Sequence, residues 1–202
     1  DAAEVVVGKT SYPMILEDEA GYYAVMLPLK RIPEYRFRVT RGSMKETFYD
    51  AYECPCQITE EEEKAFCAGV YYKAYEKLGA HPGICGGVKG TYFAVWAPNA
   101  IRVSVVGDFD RRDGRRLPMH RMPMSGIFEL FVPGVQAGVS YQYEIKIKGG
   151  NVQRKSDPYG NGTQGAPSVI SVVTDLGDFS WQDEAWLSLI HISEPTRRVV
   201  IS

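Results

Sequence analysis

One plan of motifs occurs twice in this chain, in the same order. Pro13-Met14, Gly21, the run YYAVMLP from Tyr22, YRFRV from Tyr35 and Asp50-Ala51-Tyr52 recur as Pro118-Met119, Gly126, IFELFVP from Ile127, YQYEI from Tyr141 and Asp157-Pro158-Tyr159. The spacing is kept to within a residue or so, so a single supersecondary unit is laid down twice. Each copy runs from a Gly turn through a strand ending on Pro to a Tyr-x-aromatic strand and a D-x-Y closure. The alternation is that of strands with two unlike faces: Tyr141, Tyr143, Ile145 and Ile147 oppose Ser140, Gln142, Glu144 and Lys146. Ile127, Glu129 and Phe131 likewise oppose Phe128, Leu130 and Val132. Further strands fall at 91–97, 102–107 and 168–173, divided by Pro, Gly, Asn and Asp clusters at sandwich spacing. The fold class expected is mostly β, two tandem immunoglobulin-like β-sandwiches joined by one α-helix. The first copy, at 1–58, reads as an N-terminally truncated sister of the second.

The joining helix is expected over 59–79. Thr59 with Glu62 makes a capping box, acidic residues fill the first turn, Lys73 and Lys77 come late, and Gly79 offers a C-cap. Phe66, Val70, Ala74 and Leu78 recur every fourth residue beside Tyr71 and Tyr75, a stripe suited to packing on a sandwich.

Several function classes are disfavoured. A formal charge of -2 over 202 residues gives no basis for nucleic-acid binding. No apolar run is long enough to span a bilayer and the opening residues lack a signal-peptide pattern, so a cytoplasmic parent is expected. Cys54, Cys56, Cys67 and Cys85 form no C-x-x-C pair and no His follows at finger spacing, so they read as reduced thiols rather than metal ligands. Arg111, Arg112, Arg115, Arg116 and Arg121 cluster with His120. Asp108, Asp110 and Asp113 interleave with them and reduce the field, so a solvated loop is expected.

The run LGAHPGICGGVKGTYFAVWAPNAIRVSVVG from Leu78, followed by Asp108-Phe109 and Asp113-Gly114-Arg115, resembles the early-set sandwich module of glycogen branching enzymes in the α-amylase superfamily. GIFELFVPG, YEIK, KSDPYG and WQDEAW extend the resemblance over 78–186, and the first copy with its helix is similar to the additional N-terminal sandwich of some branching enzymes. Debranching and trehalose-forming enzymes carry similar modules; the tandem arrangement and the KLGAHP junction favour branching. The resemblance implies a parent glycosyltransferase of glycogen biosynthesis that cuts α-1,4 chains and rejoins them as α-1,6 branches. Its chemistry belongs to a (β/α)8 barrel of about 250 residues with paired carboxylates. The sandwiches leave no room for that barrel, so no catalytic residue, cofactor or metal ligand is assigned here. The implied partners are α-glucan and the barrel in cis. A stand-alone glycogen-targeting module is the alternative from another class.

A sugar's C–H face packs on an exposed aromatic ring, which makes Trp96, Tyr92 and Tyr159 the candidate glucan contacts. Strand alternation separates Tyr92, Ala94 and Trp96 from Phe93 and Val95, and either set suits the core. Related modules commonly read G-D-F-N-x-W-D-G, whereas Asp110 and Arg112 stand at the Asn and Trp positions here, so glucan binding through that surface is not expected. Trp181 and Trp186 resemble the lead-in, 181–187, that packs on the family's barrel. The second sandwich is expected over 80–180. Residues 188–202 resemble translated sequencing adapter, whose codons read Leu187 through Arg197 without a mismatch, and are set aside from the fold.

Overall fold

A computed structural model describes residues 2–31, 33–165, 169–177, 182, 183 and 186. Trp181 and the tail from 187 lie outside the described residues. The first copy contains β1 (Ala2–Val7), β2 (Thr10–Pro13), β3 (Ile15–Asp18), β4 (Tyr22–Ala24), β5 (Arg36–Arg41) and β6 (Met44–Phe48). After α1 (Glu60–Cys67) come β7 (Gly79–Cys85), β8 (Val88–Trp96), β9 (Ala100–Gly107), β10 (His120–Arg121) and β11 (Ile127–Pro133). The chain then forms β12 (Ser140–Ile147), β13 (Val152–Lys155), β14 (Gly162–Thr163) and β15 (Ser171–Val172).

The second copy is a two-sheet sandwich. One sheet runs β10-β11-β8-β7; in the other, β9 pairs one side of β12 while β13 and β15 share its opposite side, with β14 beyond β15. Alternation turns Phe93, Val95, Phe128 and Leu130 of the first sheet toward Val103, Val105, Tyr141 and Tyr143 of the second, and all eight are buried together. Tyr92, Ala94 and Trp96 therefore face outward, which settles the choice that alternation alone left open. A one-residue slip of β8 would exchange the two sets, so burial fixes the register.

The repeat is exact at the level of strand register. Val5 lies opposite Phe37 in β1–β5 and Val105 opposite Tyr143 in β9–β12. Leu16 lies opposite Tyr23 in β3–β4 and Arg121 opposite Phe128 in β10–β11. Met14 N donates to Ala3 O as Met119 N donates to Val103 O, both at 2.8 Å. The copies differ in what lies beyond the short ribbon: β11 continues into β8 and β7, whereas among the described residues β4 pairs only with β3. Tyr143 is accordingly buried on both sides, while its counterpart Phe37 is only partly covered.

The linker departs from the expected helix over 59–79. Its start is as read: Glu62 N donates to Thr59 Oγ1 and Thr59 N donates to the Glu62 carboxylate. It ends eight residues later because Gly69 takes φ +73°, where Gly69 N donates to Phe66 O and Val70 N to Ala65 O in a Schellman closure. The fourth-residue stripe is thereby cut, leaving Val70 exposed and Leu78 buried in a separate turn. Gly79 opens β7 instead of capping a helix. At φ +110° a Cβ there would stand 2.9 Å from the Tyr159 carbonyl oxygen.

The cysteine expectation is also corrected. Cys54 and Cys85 are joined in a disulfide, while Cys56 and Cys67 are free and exposed. The pairing depends on tertiary placement: the β7–β8 hairpin turns at Gly86 and Gly87, both at positive φ, and presents Cys85 at its tip. Spacing along the chain carried no trace of it.

Candidate functional site

The outer face of β8 and β11 presents three cross-strand pairs, Trp96 with Ile127, Ala94 with Glu129 and Tyr92 with Phe131. The segment 54–78 lies over this face. At one end, the Tyr92 ring packs on Phe131 at a centroid distance of 4.6 Å and its hydroxyl meets Cys54 Sγ at 3.4 Å. In the middle, Gln57 N and Ile58 N donate to Glu129 Oε2 at 3.0 and 3.3 Å. Ile58, Leu78, Ala94, Met122 and Ile127 form a second buried cluster here, with Phe66 and Ala74 against it.

Glu63 anchors the helix. One carboxylate oxygen accepts from Met124 N, Ser125 N and Ser125 Oγ at 2.8, 2.8 and 2.9 Å, and the residue is 1% exposed. Desolvation pulls its pKa upward, but the hydrogen bonds from Ser125 and Met124 outweigh that pull and hold the carboxyl below its ordinary value. The sequence marked this position only as part of an acidic first turn. Glu129, an acid within the apolar run IFELFV, was the more readable signal of a buried anchor.

Of the sequence candidates, Trp96 stands at the rim: its indole N–H donates to Ser125 O at 2.9 Å, its edge meets Phe66 at 6.0 Å, and 53% of it is exposed. Tyr159 is 40% exposed. The two flank one rung of the sheet, since Tyr159 lies against Gly79, Gly79 pairs with Ala94, and Trp96 follows two residues along β8. Tyr92 is separated from them, beneath the disulfide segment. Trp186 is exposed, and Trp181 falls outside the described residues.

The D-x-Y closures are structural locks. Tyr141 and Tyr143 hydroxyls donate to Asp157 Oδ2 at 2.7 and 3.1 Å, and Tyr159 N donates to Oδ1 at 2.8 Å. The first copy repeats this with Tyr35 to Asp50 Oδ2 at 2.6 Å and Tyr52 N to Oδ1 at 2.9 Å. Burial raises the Asp157 pKa despite the hydrogen bonds it accepts, and burial with the nearby Asp157 charge pushes both tyrosines upward. The first closure also docks the copies together: Ala51 joins the second sandwich's core, and Tyr52 donates to Pro118 O at 3.0 Å.

At the loop where related modules carry a Trp, ion pairs take the place of a ring. Asp110 Oδ1 accepts from Gly107 N and Arg112 N, Arg112 pairs with Asp108, and Arg115 pairs with Asp113. Behind the loop, Glu144 pairs with Arg102 and Arg154, and Arg154 also donates to Arg112 O. These charges neutralise one another and present no aromatic platform.

Residues 77–160, a stretch that lies largely within the second sandwich, match the family described as Carbohydrate-binding module 48 (Isoamylase N-terminal domain). Across nearly all of its length the chain is similar to bacterial branching enzymes. It is 38% identical over 194 residues to the 1,4-alpha-glucan branching enzyme GlgB of Thermosynechococcus vestitus, covering 95% of this chain and 25% of that protein. It is 40% identical over 197 residues to the GlgB of a Synechococcus species, covering 93% and 26% respectively. The chain thus spans about a quarter of the length of these relatives. A pullulanase structure from an Anoxybacillus species aligns at 19% identity and TM-score 0.43 over 89% of this chain and 25% of its own.

Proposed function

We propose that this chain is the accessory, non-catalytic part of a cytoplasmic 1,4-α-glucan branching enzyme, a glycosyltransferase whose (β/α)8 barrel lies outside it. The observation that carries the reading is the similarity to GlgB across both repeats and the linker, beyond the module-48 segment alone. In this role the segment 181–187, with Trp181 and Trp186, leads to the barrel. Trp96 and Tyr159 offer exposed ring surface to α-glucan, where C–H faces stack and neighbouring polar groups bond hydroxyls. Such remote contacts are weak singly and raise the local concentration of long chains near the barrel. The arginine loop takes no part.

Affinity electrophoresis in native gels cast with glycogen tests this. The chain is expected to be retarded, and Trp96→Ala with Tyr159→Ala to relieve the retardation without loss of fold. Equal mobility with and without glycogen contradicts glucan contact. Retardation unchanged by the double substitution moves it to another surface.

A further inference from the structure

We propose that Cys54 and Cys85 form a reversible thiol–disulfide latch, exchanged with soluble dithiols, that locks the joint between the two β modules. Its regulatory sense rests on the cytoplasmic reading above; the exchange itself does not.

The bond lies where a latch is effective. Cys54 is on the strand of chain leaving the first copy's closure, two residues after Tyr52, and Cys85 is the tip of the β7–β8 hairpin in the second copy. Both half-buried residues line an open cleft of about 710 Å³ between the copies, together with Tyr35, Tyr49, Glu53 and Phe131. A small dithiol therefore reaches the sulfurs without unfolding either sheet. Disulfides in cytosolic proteins are commonly transient or redox-sensing, because the thiol pool reduces them when it can reach them.

Besides the disulfide, the segment is tied at its two ends and, between them, by Glu53 N donating to Asp50 O and by the contact of Cys54 Sγ with the Tyr92 hydroxyl, both at 3.4 Å. Ala51 and Tyr52 hold it on one side, and the Gln57 and Ile58 amides on Glu129 hold it on the other. Opening the bond removes the covalent tie on 53–56 and leaves that stretch to these weaker contacts. The neighbouring Cys56 does not compete: although the residue is exposed, partial desolvation of its sulfur, then its hydrogen bond to Glu129, pushes its thiol up to about 12, so at neutral pH it supplies almost no thiolate to attack the bond.

The step balances as an exchange. One thiolate of the dithiol attacks a sulfur of the Cys54–Cys85 bond to give a mixed disulfide, and its second thiol closes a ring on itself. Two electrons and two protons pass to the protein, which gains two thiols, and the dithiol leaves as a cyclic disulfide. Oxidised glutathione drives the reverse through a glutathione mixed disulfide that the second cysteine resolves.

Alkylation of the native chain by iodoacetamide, read by mass spectrometry, tests the latch. After exposure to oxidised glutathione and its removal, Cys54 and Cys85 are expected to carry no adduct; after native dithiothreitol, both are expected to be alkylated. Cleavage by Glu-C protease after Glu53 is expected to accelerate about tenfold on reduction, and Cys54→Ser with Cys85→Ser to be cut at the fast rate in both conditions. Adducts on Cys54 and Cys85 after the oxidant, none on them after dithiothreitol, or equal cleavage rates in the two states overturn the proposal. The wild-type comparison stands even where the double variant fails to fold. Glucan plays no part in these readouts, so failure of the accessory reading and failure of the latch are distinguishable.

Discussion

Replacing Glu63 is the sharpest single perturbation of the clamp between the linker and the outer sheet face. Its one bonded oxygen accepts two backbone amides and a hydroxyl, and the Ser125 it serves is itself buried. A hydrogen bond to a charged group contributes about 1.5–3 kcal/mol, and stranding a buried donor costs about 1–3 kcal/mol. Contributions that share one acceptor do not add fully, so Glu63→Ala is expected to cost about 3–5 kcal/mol. Glu63→Gln keeps an acceptor of the same shape and loses only the charge, an expected cost of about 1–2 kcal/mol. Urea unfolding followed by tryptophan fluorescence reads both, since Trp96 is bonded to Ser125 and sees the clamp open. The sign with pH follows from the lowered pKa. Glu63's contribution is complete above the unfolded value of about 4.3 and is lost as pH falls through the lower folded value, so wild type and Glu63→Gln should converge over that acid range. An alanine cost below about 1 kcal/mol, or equal costs for Ala and Gln, would refute the reasoning, since the carboxylate would then not be the anchor.

Three further outcomes are expected. Asp157→Ala should cost about 2–4 kcal/mol by stranding the buried Tyr141 phenol and leaving that of Tyr143 only two carbonyls at 3.5 Å, against about 1 kcal/mol for Asp50→Ala, whose single phenol is only partly covered; parallel denaturant curves check the difference. Gly69→Ala should cost about 1 kcal/mol or somewhat more, because the Schellman closure holds this residue at positive φ, and thermal melting reads it. Arg112→Ala should leave mobility in glycogen gels unchanged, since its guanidinium is engaged by Asp108 and no ring flanks it.

The sequence was most legible where local pattern and tertiary need coincide. The motif repeat announced two copies because each motif is a turn or a strand whose register follows from its own alternation, and the matched Met14 and Met119 bonds are its direct result. The capping box at Thr59 was readable for the same reason. The helix end was misread because the spacing of Phe66, Val70, Ala74 and Leu78 outweighed Gly69, the one residue that favours φ +73° and a stop. The Cys54–Cys85 bond and the Glu63 anchor were hidden because each joins residues far apart in the chain, 31 positions in the first case, through strands that must first pair. At the candidate site, Trp96, Tyr92 and Tyr159 were legible only as aromatics; the exposure of Trp96 and the covering of Tyr92 depend on where the linker lies.

The most direct test of the accessory reading is an exchange of parts. The segment of the Thermosynechococcus vestitus GlgB that aligns with residues 1–187 is replaced by those residues, and α-1,6 branch formation on amylose is followed by loss of iodine colour and by debranching of the product. Branching by the chimera, with kcat/KM on long amylose but not on short maltooligosaccharides lowered by Trp96→Ala and Tyr159→Ala, is the predicted result. A chimera that melts cooperatively yet forms no branches would contradict it.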